Sequence, residues 1–243
     1  MAREYPVVQG LITKKKCGIF LKTKYGESAA VKLDLIDYIV SRTPLLFWNR
    51  SVELLEAAYF EAHQHALTFE EPERRRMLGQ LRNYRQNAAL RDAGSAAGLI
   101  AAAPHTEPKG ERYALIAAED IRFGRVAVHF KDSRPRPAKH RTTIAALNSR
   151  LEPISLPLFG AAPVLPKDGL GCLIVTVNPP RYEPQSTPAA IMLGVPYTDL
   201  RGWHLLEPVA SIIAAYHVAE DIKVPDLAWA KLKARLKATE NEP

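Results

Sequence analysis

The sequence feature that most constrains the fold is an apolar run at residues 171–177, which begins at a glycine and reads Gly-Cys-Leu-Ile-Val-Thr-Val. A run of this length, rich in β-branched residues and flanked by glycine, is typical of a strand buried inside a sheet. Residues 189–195 are a second apolar run that we expect to pair with it. The second half of the chain is therefore predicted to contain a sheet.

Other segments alternate between strand and helix signals without a regular strand–helix–strand repeat. Strands are predicted in an antiparallel meander over 6–33 and in a hairpin over 113–121 and 125–130, turning at Phe123-Gly124. Helices are predicted at 51–66, 72–91, 142–151, 208–218 and 226–239. Interspersed elements of this kind favour an α+β fold, with the N-terminal meander, a helical middle, and a second small mixed sheet with C-terminal helices.

A stretch rich in Ala, Gly and Pro at residues 93–110 suggests a loop or linker. If the chain divides into two domains, the boundary falls there. The first part, residues 1–92, would hold the meander and a basic helical segment, and residues 111–243 would form an α+β domain. A single domain overall is the alternative.

Charge and composition narrow the functional classes. The net charge of +7 favours association with polyanions. Cys17 and Cys172 are far apart and form no metal-binding or disulfide pattern. The first residues lack the apolar run of a signal peptide, and no stretch reaches the roughly 20 apolar residues that span a bilayer. We expect a soluble cytoplasmic protein with no membrane partner.

Three basic clusters indicate where a polyanion would bind. The first lies on the predicted meander, where an aromatic ring shares a strand face with two of the lysines, a combination that suits single-stranded nucleic acid. Its residues are Lys14, Lys15, Lys16, Phe20, Lys22 and Lys24. Lysines that protect a strand edge from aggregation would give the same pattern.

The second cluster lies on the predicted helix 72–91. Arginine suits phosphate because its planar guanidinium donates two parallel hydrogen bonds. The cluster includes Arg74, Arg75, Arg82 and Arg85, and these outnumber the nearby acids. The helix is predicted to bury a narrow apolar stripe of Met77, Leu81, Tyr84 and Ala88.

The third cluster is the segment 131–141, which follows a predicted strand. Its strongest candidates for phosphate contact are Arg134, Arg136, Lys139 and Arg141, against one acid. Pro135 and Pro137 keep this stretch extended. It is the strongest single indication of a polyanion partner. If all three clusters share one surface, salt-sensitive phosphate contact follows.

Two catalytic readings also arise from the sequence. Residues 178–182, Asn-Pro-Pro-Arg-Tyr, follow the predicted buried strand. They resemble the Asn-Pro-Pro-aromatic motif of amino-methylating DNA methyltransferases, in which the polar side chain and a proline carbonyl hold the target amine. Arg181 stands where that family has its aromatic residue, and no glycine-rich cofactor loop follows an early strand.

The second catalytic reading is RNA cleavage. His140 lies between two cations and could act as a general acid or base, and His204 lies near Tyr197 and Asp199. In general plan the chain is similar to the repeat-processing RNA endonucleases of CRISPR systems, which combine duplicated ferredoxin-like folds, basic helices and sparse catalytic residues.

The sequence contains no metal-ligand spacing, phosphate-binding loop or dinucleotide fingerprint, so we expect no metal and no cofactor. The leading hypothesis is a non-catalytic nucleic-acid-binding protein that contacts the phosphate backbone of RNA or DNA. Its alternatives are the RNA-processing endonuclease and a protein-interaction subunit of a larger assembly. In the latter, residues 153–166 and the C-terminal helices would contact other protein subunits.

Overall fold

A computed structural model describes residues 29–132, 134–152 and 169–223. Within these residues the fold is α+β, as the sequence predicts, with five α-helices and one six-stranded sheet. The elements in chain order are α1 (Ala29–Arg42), α2 (Leu45–Ala66), α3 (Glu73–Ala96), β1 (Ile100–Ala102), β2 (Leu115–Ala118), β3 (Ile121–His129), α4 (Lys139–Ala146), β4 (Leu170–Asn178), β5 (Ala190–Pro196), β6 (Trp203–Pro208) and α5 (Val209–Lys223). A short 3-10 turn, Ser149–Leu151, follows α4.

The strands lie side by side in the same order as in the sequence. All neighbours are antiparallel except β3 and β4, which are parallel and joined by the crossover that contains α4. Parallel pairing requires such a crossover, because the chain must return to the same end of the sheet before the next strand begins. The 131–141 segment comprises the loop that leaves β3 and the first three residues of α4.

Both faces of the sheet are covered, which explains the apolar run of β4. Eight of its nine residues are buried, as expected for a strand between two layers. One core lies between the sheet and helices α1, α2, α3 and α5. A smaller core lies on the opposite face, where Ile144 of α4 packs against Val126, Leu173 and Val175. The predicted pairing of residues 189–195 with β4 is confirmed.

The prediction of a strand at the end of the meander is wrong for residues 29–33, which form the first turns of α1. The helix is stabilised by burial of Leu35, Ile36 and Ile39, whose spacing places them on one side of a helix. Helix α1 ends before Thr43-Pro44, because proline disfavours helical backbone at the residue before it. The rest of the predicted meander, residues 6–28, lies outside the described residues.

The predicted hairpin turn at Phe123-Gly124 is also misplaced. Both residues lie inside β3, and the β2–β3 turn is formed by Glu119, which adopts a positive φ of 49°, and Asp120. Gly124 lies against α4, because a Cβ there would lie 2.6 Å from Cδ1 of Ile144 and the Ile144 side chain would have to shift. The glycine that suggests a turn in the sequence is a helix-packing position in the fold.

Residues 93–110 contain regular structure as well as loop. Helix α3 continues to Ala96, and β1 forms the outer strand of the sheet by pairing with β2. Beyond β1, His105 and Arg112 form a bridge that extends the hairpin toward β2. The stretch therefore contributes one strand to the sheet, and the described residues on its two sides share one hydrophobic core.

Candidate nucleic-acid interface

Helix α4 is held close to the sheet by residues of β4 and of the turn that follows the helix. A Cβ at Gly171 would lie 1.9 Å from the backbone oxygen of Ile144, so only glycine fits at this register position. Asn148, which is fully buried, accepts a hydrogen bond from the Gly171 N–H at 2.8 Å. Its amide nitrogen donates to the carbonyls of Gly171 and Pro196 at 2.9 and 2.8 Å. These contacts fix the position of the basic segment that precedes α4.

The 131–141 segment carries five cations and one acid, Asp132. That carboxylate accepts hydrogen bonds from the backbone N–H and from Nε of Arg134, both at 3.2 Å. The same two bonds hold the pKa of Asp132 below its usual value. The acid therefore organises the start of the segment, and it pairs with only the first of the four predicted cations.

Arg141 ties the end of the segment to its middle and to β3. Its Nη1 donates to the carbonyl of Arg136 at 2.8 Å, and its Nε donates to the carbonyl of Arg125 at 3.4 Å. Burial lowers the pKa of Arg141, and the nearby Arg136 guanidinium lowers it further. Arg141 thus positions the segment through neutral acceptors and keeps its charge uncompensated.

The first turn of α4 concentrates positive charge at the positive end of the helix. It carries Lys139 and Arg141, and the N-cap residue Ala138 offers no side-chain cap. Cations at this end are disfavoured by the helix dipole, which prefers an anion there. The first turn of α4 therefore adds to the positive potential of the 131–141 segment.

His140 is stacked on Tyr113, which leads into β2. The ring centroids are 4.3 Å apart and the planes are tilted by 18°. Burial, together with Arg141 and Arg125, lowers the pKa of His140 to about 4. The imidazole is therefore neutral at pH 7 and behaves as an aromatic ring.

Three of the predicted cations, Arg134, Arg136 and Lys139, are exposed. The side chains of Arg134 and Lys139 are 70% and 73% exposed. Lys139 has a distant acid partner, Glu107, at 3.9 Å. Exposed pairs of this kind contribute little, because solvent screens them and the side chains lose freedom. All three cations are available to a ligand.

Behind the segment, Arg125 of β3 points toward α3 and is only 6% exposed. Its guanidinium donates to Asn87 Oδ1 at 3.2 Å, Gln86 Oε1 at 2.8 Å and Asn83 Oδ1 at 2.6 Å. Burial and then Arg141 lower its pKa to about 10, so the group remains charged at neutral pH. Neutral amides satisfy its donors without cancelling its charge.

The arginines of α3 are more engaged than the sequence suggests. Arg74 donates to the carbonyl of Phe69 at 2.8 Å, and Arg85 pairs with Glu61 of α2. Arg82 donates to the carbonyl of Gln185 and lies 4.0 Å from the centre of the Tyr59 ring. Arg75 is 76% exposed and has a weak contact of 3.6 Å with Glu71. Of these four, Arg75 is the one most available to a ligand.

The second and third basic clusters belong to elements that pack on different faces of the sheet. Helix α3 covers one face of the sheet and α4 packs on the other. Arg125 links them, because its side chain contacts α3 while its carbonyl contacts Arg141. The N-terminal cluster of lysines and Phe20 lies outside the described residues.

The apolar stripe predicted for α3 is not its buried face. Tyr84 is exposed, and Met77, Leu81 and Ala88 are partly exposed. The buried face is rotated and includes polar side chains: Gln86, Asn87, Ala89, Leu90, Ala93 and Gly94. Burial of amides is stable here because they accept hydrogen bonds from Arg125.

The two candidate catalytic histidines belong to separate clusters. His204 of β6 contacts Tyr197 edge to face, with centroids 4.6 Å apart, and its Nε2 is 3.9 Å from Glu152. Burial lowers the pKa of His204 to about 4, although Glu152 opposes this change. Glu152 itself accepts hydrogen bonds from the N–H and hydroxyl of Thr198 at 2.6 and 2.8 Å. The contacts of His140 are with Tyr113 and the arginines.

The Asn-Pro-Pro segment follows β4 as predicted, but Asn178 is already engaged. Its Oδ1 accepts a hydrogen bond from the Tyr59 hydroxyl at 3.0 Å. Pro179 and Pro180 are buried, whereas Tyr182 is 83% exposed. In the described residues the sheet is mixed and follows the sequence order, with one parallel pair of strands. This segment therefore follows the end of β4, and Asn178 holds the Tyr59 side chain of α2.

Two residues of the candidate interface, Tyr113 and Arg125, are not among the site residues that the sequence predicts. Tyr113 lies beside His140 only because the segment before β2 contacts the first turn of α4, since 27 positions separate the two residues in the sequence. Arg125 interrupts the apolar pattern of β3, and that interruption was the available signal for a buried charge.

Comparison of the chain with protein-family models, with curated proteins and with solved structures finds no match. In the described parts of the chain, no group of three or more His, Cys, Asp or Glu side chains is placed to hold a metal ion. None of the described helices is both long enough and apolar enough to cross a membrane.

Proposed function

We propose that the protein binds nucleic acid non-catalytically and contacts the phosphate backbone through the 131–141 segment. What supports the proposal is the composition of the segment, with five cations and one acid, and the exposure of Arg134 and Lys139. We propose the cytoplasm as the compartment, in keeping with the buried free thiol of Cys172.

One observation carries the proposal. Arg141 lies next to both Arg125 and Arg136, because its guanidinium donates to the backbone carbonyls of both residues. None of the three arginines forms an ion pair with a carboxylate among the described residues. Bringing like charges together raises the free energy of the protein and the local positive potential. A bound polyanion would lower that free energy, so the arrangement favours a ligand with several negative charges.

The spacing of the cations suits a polymer better than a single small anion. Five positions separate Arg134 from Lys139, and an extended chain covers at most about 17 Å over five residues. Pro135 and Pro137 limit the collapse of this stretch. Cations spread in this way contact successive phosphates along a strand, and each contact releases counterions.

The first test is removal of the exposed cations. The variant Arg134→Ala/Arg136→Ala/Lys139→Ala should bind labelled oligonucleotides roughly 30-fold more weakly at low salt, and its salt dependence should be shallower by about 2 in log–log slope. Fluorescence anisotropy titrations with RNA and DNA strands and duplexes measure both quantities. Conversely, Glu107→Gln should strengthen binding about 3-fold, because it removes the acid nearest to Lys139.

The matched control removes the same number of charges from other elements. Lys32→Ala/Arg50→Ala/Arg201→Ala disrupts three surface pairs, with Glu207, Glu53 and Asp199 respectively. It should bind within about 3-fold of the wild-type protein. Equal losses in the two triple variants would mean that net charge alone attracts the oligonucleotide, which contradicts the proposed site. Cleaved RNA in the wild-type reactions would favour the endonuclease alternative.

A further inference from the structure

The stacked pair of Tyr113 and His140 is the feature of the 131–141 segment that phosphate contact does not explain. Their centroids are 4.3 Å apart with planes tilted by only 18°, and both side chains remain partly exposed. Tyr113 is fixed by its backbone N–H, which donates to the carbonyl of Pro104 at 3.2 Å. His140 is fixed by its place in the first turn of α4. The first turn of α4 and the segment that leads into β2 therefore present this pair.

The pair lies among the cations of the segment. Lys139 and Arg141 flank His140 in the sequence, and the Arg141 guanidinium holds the carbonyl of Arg136 nearby. Aromatic rings next to exposed cations form the surface that single strands use, because every unpaired base has a face that can stack and a phosphate that attracts cations. In a duplex the base faces are already stacked on one another and cannot reach such a pair.

We propose that the 131–141 segment binds single-stranded rather than duplex nucleic acid, with an unpaired base stacked on the Tyr113–His140 pair and the flanking phosphates on Arg136 and Lys139. This inference rests on the proposed function and specifies its ligand. RNA and DNA strands share the required chemistry, since both offer unpaired bases and a phosphate backbone.

The electrostatics of His140 agree with this role. Burial and the neighbouring arginines keep its pKa far below 7, so the ring is uncharged at neutral pH. A neutral imidazole stacks on Tyr113 and offers an aromatic surface without adding to the repulsion among the arginines. Phosphate contact is left to the exposed cations of the segment.

The test asks whether the aromatic rings at positions 113 and 140 contribute to oligonucleotide binding independently of charge. Tyr113→Leu and His140→Leu should each weaken binding of labelled oligo-U and oligo-dT about 10-fold, because stacking on an aromatic side chain is lost. Tyr113→Phe and His140→Phe keep the rings and should bind within about 2-fold of wild type. None of the four removes a phosphate contact, so the salt dependence of binding should keep the wild-type slope.

A second measurement protects the test against misfolding. Thermal melts identify a leucine variant that does not fold, and ultraviolet cross-linking of the wild-type protein to oligo-U should then place the cross-link at Tyr113 or His140. Cross-links confined to other residues would overturn the inference.

The results also separate this inference from the proposed function. Equal affinity of the wild-type protein for strand and duplex, or unchanged binding by both folded leucine variants, overturns single-strand stacking while phosphate binding stands. Absence of binding to every oligonucleotide at low salt overturns both. A preference for oligo-U over oligo-dT, or the reverse, identifies the kind of strand within the proposed class.

Discussion

Replacement of Arg125 by Met is expected to destabilise the protein by about 3–5 kcal/mol, because one partner of a buried charged network is removed and the other partners stay buried. The amide oxygens of Asn83, Gln86 and Asn87 accept hydrogen bonds from its guanidinium at 2.6–3.2 Å. In the variant these oxygens face an apolar side chain. Urea unfolding followed by circular dichroism measures the loss.

Two controls define the cause of that loss. Arg75→Met, at an exposed position of α3, should change stability by less than about 0.5 kcal/mol. Adding Gln86→Leu to Arg125→Met should restore part of the stability. The double variant also removes the Gln86 amide oxygen, which Arg125→Met alone leaves buried without a donor. A loss below about 1 kcal/mol for Arg125→Met would show that the network contributes little.

Replacement of Gly171 by Ala should cost at least about 3 kcal/mol, since the clash cannot be relieved by a side-chain rotation. The new Cβ would lie 1.9 Å from the backbone oxygen of Ile144. Relief of the clash would move α4 away from β4 and would break the hydrogen bonds between Gly171 and Asn148. We therefore expect a large drop in melting temperature and, in any protein that remains folded, weaker oligonucleotide binding.

The matched control for this substitution is Gly79→Ala in α3. No heavy atom lies within 4 Å of a Cβ built there, and the position is exposed. Alanine should stabilise the helix by about 0.8 kcal/mol, because glycine carries a backbone entropy cost that alanine avoids. If Gly171→Ala also left the melting temperature unchanged or raised it, the close approach of α4 to β4 would be refuted.

The elements that sequence alone identifies are those whose burial pattern is simple. The apolar run of β4 is covered on both faces, so its strand is evident from composition. Helices α2 and α5 show helix-forming composition and are confirmed near the predicted positions. In these segments local preference and tertiary packing agree.

The misplaced elements are those in which tertiary contacts override the local pattern. Gly124 resembles a turn residue, yet it lies within β3 because Ile144 packs against it. The face of α3 that is buried carries Gln86 and Asn87, which no hydrophobic pattern selects. Their burial is favourable because Arg125 of β3 donates hydrogen bonds to them. Arg125 lies 38 positions after Asn87 and 39 after Gln86 in the sequence.

The charge of the interface could be predicted from sequence, but its arrangement could not. The 131–141 segment is identifiable because its cations outnumber its acids within a short extended stretch. Whether each arginine is available depends on contacts with distant residues, as for Arg82 with Gln185 and Arg85 with Glu61. The stacking of Tyr113 on His140 likewise depends on the tertiary contact between the segment before β2 and the first turn of α4.

The more buried cations in and behind the 131–141 segment have a different role from the exposed ones. The guanidinium groups of Arg125 and Arg141 donate hydrogen bonds to uncharged amide and carbonyl oxygens. Both groups contribute positive potential, and Arg141 also fixes the start of α4. Arg134 and Lys139 extend into solvent, where phosphates can reach them. A variant of the buried pair should therefore affect folding, whereas a variant of the exposed pair should affect binding alone.

The location of the bound oligonucleotide decides whether the 131–141 segment is the binding site. Hydrogen–deuterium exchange of the full chain would be measured with and without excess oligo-U at about 150 mM salt, where nonspecific contacts are screened. We expect slower exchange at the backbone amides of residues 131–141 and around Tyr113. Unchanged exchange in these residues under conditions of saturated binding, with protection confined to α3 or to other parts of the chain, would contradict the proposed interface.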